Sequence, residues 1–477
     1  MSRKLLALGV VVCLSFPAVA QINNTVYFMH GVPQSNRVNP AHQPKGNFYL
    51  GIPGLSPLRV GLSSSSLAYK DVIYPHPYED SLITFLHPQG SKEDFLKQLK
   101  PLNFVASDVG TSLFSMGFRT GAGFFTLDVS TRIDGNIYYP GDLARLVIEG
   151  AGDGEIHHLD GIGPDMTAFD EIAVGWSDEI IDNLTLGVRG KVLFGVGNLS
   201  NVRSDLTVTT SQEAWNIKSD MLFNASLPFA DVTYNEEGML EDIAIREELE
   251  NPNFAHLQRY MMNTNNLGFG IDLGVNYRPI DQLQLSVSLL DVGYIQWKDE
   301  VHQVTYATEY DFEGLEVNPF DFSEDYTFGD HLDTTLSQMA DSLSGFLEFT
   351  PGGVYSKRLN TKLYVGGSYN VTPKINFGLL SRTDFLNGKV AEQVTASANL
   401  TTGRFINLTL SYSYMNAYFK NIGAGISFHF GPLNLYLVSD NALNTLFWPH
   451  EARSANVWFG LNLTFGYKEK MDHPMVN

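Results

Sequence analysis

The most constraining feature of this sequence is a strict two-residue alternation. Residues 406–414, INLTLSYSY, place apolar or aromatic side chains at every second position and small polar ones between them. A period of two indicates a β-strand with two unlike faces. The same alternation recurs at 267–277, 283–289, 394–400, 422–430 and 457–467. Many segments reach ~10 residues, the length that a tilted membrane strand needs.

The polar face of these strands decides between a soluble sheet and a membrane barrel. A soluble sheet exposes that face to water and carries many Lys, Glu and Arg there. Here it is mostly Gly, Ser, Thr and Asn, which suits a crowded lumen. The sequence therefore predicts an all-β transmembrane antiparallel β-barrel of about 14 (14–18) strands. A soluble secreted β-protein is the alternative.

The first twenty residues have the pattern of a secretory signal peptide. Arg3 and Lys4 precede an apolar run at 5–14, and Ala18-Val19-Ala20 forms a small-residue cleavage site. We expect cleavage between Ala20 and Gln21, and a single domain over 21–477. The one cysteine lies inside the signal peptide, so the mature chain has no disulfide. Export without a helical anchor favours the outer membrane of a Gram-negative bacterium.

The charge balance argues against nucleic acid as a partner. The chain has 31 basic and 52 acidic residues, a net charge of −21, so no basic surface can neutralise phosphates. Two acidic blocks, 231–250 and 309–333, are predicted to be long loops at one end of the barrel. Short turns are predicted at 278–282, 359–362, 370–374 and 401–404, and short helices at 91–100, 140–150 and 333–343.

Four segments carry a resemblance to a known family. They are 27–44 (YFMHGVPQSNRVNPAHQP), the helix PGDLARLVIEG at 140–150, FGLLSRTDF at 377–385 and FGPLNLYLVSDNALN at 430–444. The chain resembles, over nearly its full length, an uncharacterised (DUF5723-like) family of Bacteroidota outer-membrane barrels. That family lies within the superfamily of the FadL-like fatty-acid channels.

The resemblance implies an N-terminal hatch that folds back into the barrel. The hatch would be residues 21–45, with a turn at Asn39, Pro40 and Ala41, followed by the barrel at 46–467 and a periplasmic tail at 468–477. Phe465 and Tyr467 would form the assembly signal of the closing strand. The resemblance supports fold and location more than function.

Five charged residues fall on the polar face of their strands: Asp128, Arg132, Arg189, Lys191 and Asp272. One interpretation is a ring that binds or filters solute. The other is a network of ion pairs that braces the hatch against the wall. Their mixed sign argues against an anion-selective pore.

No motif indicates an enzyme or a resident cofactor. Gly-x-Ser-x-Gly is absent, and no nucleophile and base stand in a recognisable pattern. We predict no metal site. The best Ca²⁺ candidate, Asp321, Glu324, Asp325 and Asp330, lacks the spacing of an EF-hand and is better explained as a solvated acidic loop.

Two functions follow as hypotheses. The first is a passive channel for a small hydrophobic solute. The second is a non-transporting scaffold subunit of an envelope secretion or outer-membrane assembly complex. Expected partners are outer-membrane lipid and either hydrophobic small molecules or other envelope proteins. A plugged lumen without an apolar pocket would favour the scaffold, and an apolar path from the loops to the wall would favour the channel.

Overall fold

The protein is a closed antiparallel β-barrel of fourteen strands in a computed structural model. The structure describes residues 24–29, 31–150, 152–234, 240–249, 253–312, 348–386, 389–402, 405–415 and 418–466. The prediction of an all-β barrel of about 14 strands is confirmed. The signal peptide, residues 313–333 of the predicted acidic loop at 309–333, and the tail at 468–477 lie outside the described residues. Residues 309–312 of that predicted loop are instead the end of a strand, Val301–Phe312.

Several strands of the barrel wall are built from more than one segment. The wall strands are β1 (Phe48–Gly51 and Leu58–Ser64), β2 (Leu102–Thr120), β3 (Gly123–Pro140), β4 (Gly163–Ile181), β5 (Leu184–Thr210), β6 (Trp215–Ser226 and Leu267–Ile280), β7 (Leu283–Trp297 and Val301–Phe312), β8 (Glu348–Pro351, Tyr355–Arg358 and Thr361–Thr372), β9 (Ile375–Leu386), β10 (Lys389–Thr402), β11 (Ile406–Met415), β12 (Tyr418–Phe430), β13 (Leu433–Ser439) and β14 (Ser454–Phe465).

Pairing of the first strand with the last closes the wall. The two segments of β1 pair with β14, as in Phe48↔Phe465 and Leu58↔Phe459, and β1 also pairs with β2. Short turns join the strands at the end where β1 begins and β14 finishes, which we call the turn end. Longer connections, including 65–101 and 440–453, lie at the opposite loop end. Closure leaves neither the first nor the last wall strand at a free sheet edge, which a barrel in lipid requires.

The two faces of the wall have inverted polarity. In β11, Leu408, Leu410 and Tyr412 point outward, and Leu410 is 55% exposed. Thr409 and Ser411 point into the lumen and are buried. The apolar face is therefore the outer one, as in a barrel that spans a membrane.

Short helices and strands occupy the connections. The helices are α1 (Tyr69–Val72), α2 (Lys92–Gln98), α3 (Gly141–Glu149), α4 (Phe254–Met261) and α5 (Ala442–Phe447), with 3-10 turns at Pro33–Arg37, Glu247–Leu249 and Pro449–Glu451. Strands outside the wall are the pair Ile73–Pro75 and Leu82–Thr84, the pair Ala230–Tyr234 and Leu240–Ile245, and Ile156–His158 beside β5.

The predicted helices at 91–100 and 140–150 correspond to α2 and α3. Ser91 caps α2 by accepting a hydrogen bond from the backbone N–H of Asp94. The helix predicted at 333–343 lies outside the described residues. In the described part of the chain, no helix is long and apolar enough to cross a membrane.

Two local predictions are wrong. Residues 359–362 are not a turn between strands but an irregularity inside β8, which continues at Thr361. The acidic block at 231–250 is not a loop at the barrel end. It belongs to a side insertion, residues 227–266, that leaves the wall between the two segments of β6. The two-residue alternation cannot reveal such interruptions, because the segments on both sides of each one have the pattern of a regular strand.

The core of the molecule lies inside the barrel, where the hatch (residues 24–45) packs against the wall. Val26, Tyr27, Phe28 and Met29 are at most 2% exposed. They form one apolar cluster with inward-facing wall residues: Leu290, Tyr364, Leu380, Tyr436, Val438 and Trp458. Burial of these apolar side chains stabilises the docking of the hatch in the lumen.

The orientation of the wall predicts how it tolerates charge. Leu410→Arg places a cation on the outer face at the centre of β11, and we expect it to lower the free energy of unfolding by about 2–4 kcal/mol. Leu410→Phe keeps that face apolar and should be near neutral. Reversible unfolding in lipid vesicles measures both variants. Equal stability of the two variants would contradict the outward orientation.

Candidate functional site

The hatch is bonded to the wall on several sides. The amide of Asn24 donates to Gln393 and Thr395 on β10, and the backbone N–H of Thr25 donates to Asp440, 2.6 Å away. Gln34 donates to Asn462 on β14. These contacts reach β10, β14 and the connection between β13 and β14. They hold the hatch as an integral plug and not as a loose tail.

The predicted turn at Asn39, Pro40 and Ala41 lies against two glycines of the wall, Gly187 and Gly274. The Asn39 side chain accepts a hydrogen bond from the backbone N–H of Ala41 at 2.9 Å, which fixes the turn locally. A side chain at Gly187 or Gly274 would collide with this turn: an added Cβ would lie 2.2 Å from backbone of Pro40 or from Asn39. The two glycines therefore provide the space for the turn.

All five predicted lumen charges belong to one buried network of ion pairs. Among the described residues, the connected groups are five acids (Asp128, Asp134, Glu171, Asp272 and Asp291) and five bases (Arg37, Arg132, Arg189, Lys191 and Lys362), so their formal charges cancel. Arg189 reaches Glu171 at 2.7 Å and Asp128 at 3.2 Å. Lys191 lies 2.6 Å from Asp272. Charges this deeply buried are tolerable only when paired in this way.

One member of the network comes from the hatch. Arg37 donates to Asp128 at 2.8 Å and to Ser112 at 2.6 Å. It supplies the fifth positive charge, and without it the wall part of the network would carry a net negative charge. The hatch is therefore part of the electrostatic balance of the lumen.

The sequence analysis did not predict five members of the network, and four of these five are wall residues. Asp134 and Glu171 lie on inward positions and could have been found by extending the alternation. Asp291 lies at an irregularity within the first segment of β7 and has a positive φ of 56°. The two-residue alternation therefore does not predict the direction of its side chain. Lys362 was hidden by the incorrect turn at 359–362. Arg37 lies in the non-periodic hatch.

A packed cluster of apolar side chains, which we call the apolar chamber, lies beside the network, behind the interruption in β6. It is formed by Phe169, Leu193, Ile295, Trp297, Val301 and Leu359, with Tyr355 packed against it. The guanidinium of Arg132 stacks over Phe169 at 5.1 Å, so the chamber and the network share a boundary. Trp297 is fully buried, and its indole N–H has no acceptor among the described residues.

Asn266 and Ser226 bridge the wall at the interruption, where Ser226 donates to the backbone carbonyl of Asp299 at 2.7 Å. Asn266 accepts hydrogen bonds from the backbone N–H groups of Lys298 and Asp299 at 2.8 and 2.9 Å. Its amide donates to Ser226 at 3.1 Å. The backbone carbonyl of Asn266 accepts from Gly195 on β5. Asn266 thus joins β5, β6 and β7 where the regular ladder is missing.

Two acidic residues of the side insertion, Asp231 and Glu248, are paired. Arg246 lies 3.1 Å from Asp231 and 2.6 Å from Glu300. The hydroxyl of Tyr260 donates a hydrogen bond to Glu248 and lowers the pKa of that carboxyl below its usual value. These pairs hold the insertion to itself and to the irregular stretch of β7.

Two cavities border the hatch, each with a volume of about 10 Å³, at the limit of a single water molecule. One lies between the hatch turn and the wall at Phe124 and Arg189, and the other beside Lys45 and His429. The hatch occupies the lumen at this level.

The remaining predicted residues take no part in this site. Phe465 ends β14 at the turn end, with its ring 6.1 Å from that of Phe48. Tyr467 and the Ca²⁺ candidate residues Asp321, Glu324, Asp325 and Asp330 lie outside the described residues. Within the described residues, no group of three or more His, Cys, Asp or Glu side chains is arranged to hold a metal ion.

The contact of Arg37 with Asp128 predicts how the hatch is retained. Arg37→Met unbalances the buried network, and we expect it to lower the free energy of unfolding by about 3 kcal/mol. It should also expose the hatch to protease. Adding Asp128→Asn should cost less than the sum of the single changes, because the two groups are coupled.

A second ion pair in the wall provides the control. Arg59 pairs with Asp108 at 2.8 Å without touching the hatch, so Arg59→Met should leave protection of the hatch unchanged. Limited proteolysis and unfolding curves measure these effects. Additive costs at Arg37 and Asp128 would contradict the proposed coupling.

Comparison with known proteins gives a family but no function. No curated protein matches the chain. Solved structures with a similar course of the chain include the toluene transporter TbuX of Ralstonia pickettii (9% identity, TM-score 0.39, covering 94% of this chain and 96% of that one). Others are a FadL homologue of Pseudomonas aeruginosa (10%, 0.37, 94% and 97%) and the toluene transporter TodX of Pseudomonas putida (8%, 0.36, 94% and 98%). Residues 40–440 match DUF5723, a family of unknown function, and the chain belongs to that family.

Proposed function

We propose that this protein is an outer-membrane channel for a small hydrophobic solute, which passes sideways between the membrane and the lumen through the interruption in β6. The observation that carries the proposal is the closure of that interruption largely by side-chain hydrogen bonds, those of Asn266 and Ser226, directly in front of the apolar chamber. A wall closed by side-chain hydrogen bonds opens more easily than one closed by a continuous ladder.

The lining of the chamber supports an apolar solute. Apart from the indole N–H of Trp297 and the hydroxyl of Tyr355, the chamber presents hydrocarbon and aromatic surface. Tyr355 already donates to Asn198 at 2.7 Å. A solute that displaced Trp297 would therefore meet mainly apolar surface and one free donor, which is the usual make-up of a small-molecule site.

Passage from the chamber to the turn end requires movement of the hatch. The network of ion pairs and the hatch lie between the chamber and that end, and the two cavities that border the hatch are the size of a single water molecule. Displacement of the hatch would withdraw Arg37 from Asp128. We infer that the closed state is the resting state and that the ion pair at Arg37 is the contact that must break.

The same filled lumen supports a second candidate, a non-transporting scaffold in an envelope complex. A plug bonded to β10, β11 and β14 is suited to a rigid barrel that offers its surface to partners. This candidate assigns no role to the weak closure at Asn266, which is why we rank it second.

Removal of the closing side chain tests the channel. Asn266→Ala leaves two buried backbone N–H groups without acceptors, at a cost of about 1–3 kcal/mol each. We expect this to raise uptake of a fluorescent apolar probe such as N-phenyl-1-naphthylamine severalfold in proteoliposomes, because the wall opens more often.

A matched substitution and a binding experiment separate the two functions. Asn399 is a buried lumen amide on β10, remote from the interruption, so Asn399→Ala should leave uptake unchanged. Equal uptake by the two variants would contradict the channel. Recovery of a stoichiometric protein partner with the detergent-solubilised barrel, together with unchanged uptake, would favour the scaffold.

A further inference from the structure

The side insertion, residues 227–266, packs against the outside of the wall. Met166 has the opposite phase to the network residue of β4, is 38% exposed and is paired with Leu199 on β5. Leu199 is paired with Ala225 on β6, and Ala225 with His302 on β7. Because paired residues of neighbouring strands point to the same face of a sheet, His302 lies on the outer face. The hydroxyl of Tyr234 lies 2.7 Å from Nδ1 of His302, so the insertion contacts the outer face beside the interruption.

Exposed aromatic side chains on the outer wall mark the height of this region. Tyr277, near the turn end of β6, and Phe269, closer to the loop end, are 45% and 52% exposed. They are eight residues apart, which is about 20 Å along the axis of a barrel with tilted strands and close to the height of an apolar belt. Asn266 precedes Phe269 by three residues. The interruption and the insertion therefore lie at the loop-end edge of the belt, where the lipid headgroups begin.

Three contacts fasten the insertion to the irregular stretch of β7, residues 298–300. The guanidinium of Arg246 donates to the carboxylate of Glu300 at 2.6 Å. The amide of Asn263 donates to the carboxylate of Asp299 at 2.9 Å. The backbone N–H of Leu227 donates to the carbonyl of Glu300 at 3.0 Å. The insertion leaves β6 at both of its ends, so these contacts tie it across to the neighbouring strand.

The stretch that the insertion holds has an unfavourable backbone. Glu300 has a φ of 45°, in the left-handed region that a residue with a side chain seldom adopts. Such a conformation persists only where the surrounding contacts hold it. Of the contacts that hold it here, those of Arg246 and Leu227 come from the insertion.

The pair of Arg246 with Glu300 is suited to breaking and forming again. Its side chains are 28% and 41% exposed, whereas the ion pairs of the lumen network are buried. Partly exposed ion pairs contribute little to stability, because water solvates both charges once they separate. Arg246 also lies 3.1 Å from Asp231, which keeps its charge partnered inside the insertion when Glu300 moves away.

We propose that the side insertion is a strap that holds the sideways opening closed from outside, and that Arg246 is its fastening residue. This inference rests on the proposed sideways route. Release of Glu300 frees residues 298–300 to leave Asn266 and Ser226, and the wall then opens at the loop-end edge of the lipid belt. The solute would accordingly exchange with the membrane leaflet on the loop side.

The first test is hydrogen–deuterium exchange of the full mature chain in phospholipid nanodiscs. The backbone N–H groups of Lys298 and Asp299 report on the closed state, because both donate to Asn266. We expect Arg246→Met and Glu300→Gln each to speed exchange at these two amides severalfold. The double variant should exchange no faster than the faster single variant, because both changes remove the same contact. Fragment mass spectrometry resolves the two amides.

Arg259 provides the matched control within the insertion. It is 68% exposed and pairs with Glu248 of the insertion, so Arg259→Met should leave exchange at the two amides unchanged. Unchanged exchange in both Arg246→Met and Glu300→Gln would overturn the strap. Equal acceleration by Arg259→Met would also overturn it, because general loosening of the insertion would then explain the effect.

Uptake of N-phenyl-1-naphthylamine into proteoliposomes separates the strap from the sideways route. If both hold, Arg246→Met and Glu300→Gln raise uptake as Asn266→Ala does. Raised uptake by Asn266→Ala alone, with unchanged exchange in the other two variants, would contradict the strap and keep the route. Faster exchange with unchanged uptake in all three variants would support the strap as a fastening of the wall and contradict the route.

Discussion

The structure depends on the electrostatic balance of the lumen. Ten charged groups are buried there, and each is stable only because an opposite charge lies within ion-pair distance. The wall alone supplies five acids and four bases, so the hatch must contribute Arg37 for the charges to cancel. This requirement links assembly of the wall to docking of the hatch, and it explains why a polar interior can be packed as tightly as an apolar core.

The apolar and charged parts of the lumen have different tasks. On one side, the aromatic hatch residues and Trp458 form a core of the kind found in soluble proteins. On the other side, the chamber around Trp297 ends at a wall that hydrogen bonds of Asn266 and Ser226 complete. The interruption of the regular ladder thus lies beside an apolar interior surface. That arrangement is the physical basis for the proposed sideways route.

The two-residue alternation predicted the barrel because the regular wall strands place apolar residues on the outer face and polar residues on the lumen face. In β11, each residue from Leu408 to Tyr414 lies on the face that its polarity indicates. The lumen charges at Arg189 and Lys191 follow from the same rule. The rule fails where backbone geometry departs from two-residue repetition, as at Asp291 with its positive φ, and where long-range contacts decide, as at Arg37 and Asn266.

The most direct test of the central claim is the ionic conductance of the barrel in a planar lipid bilayer. A hatch held in the lumen by paired charges and a buried apolar cluster should block ions at neutral pH and moderate voltage. We expect no steady conductance above the leak of the bare bilayer. A stable open conductance from the full-length mature chain would show that the hatch does not seal the lumen, and would contradict the account.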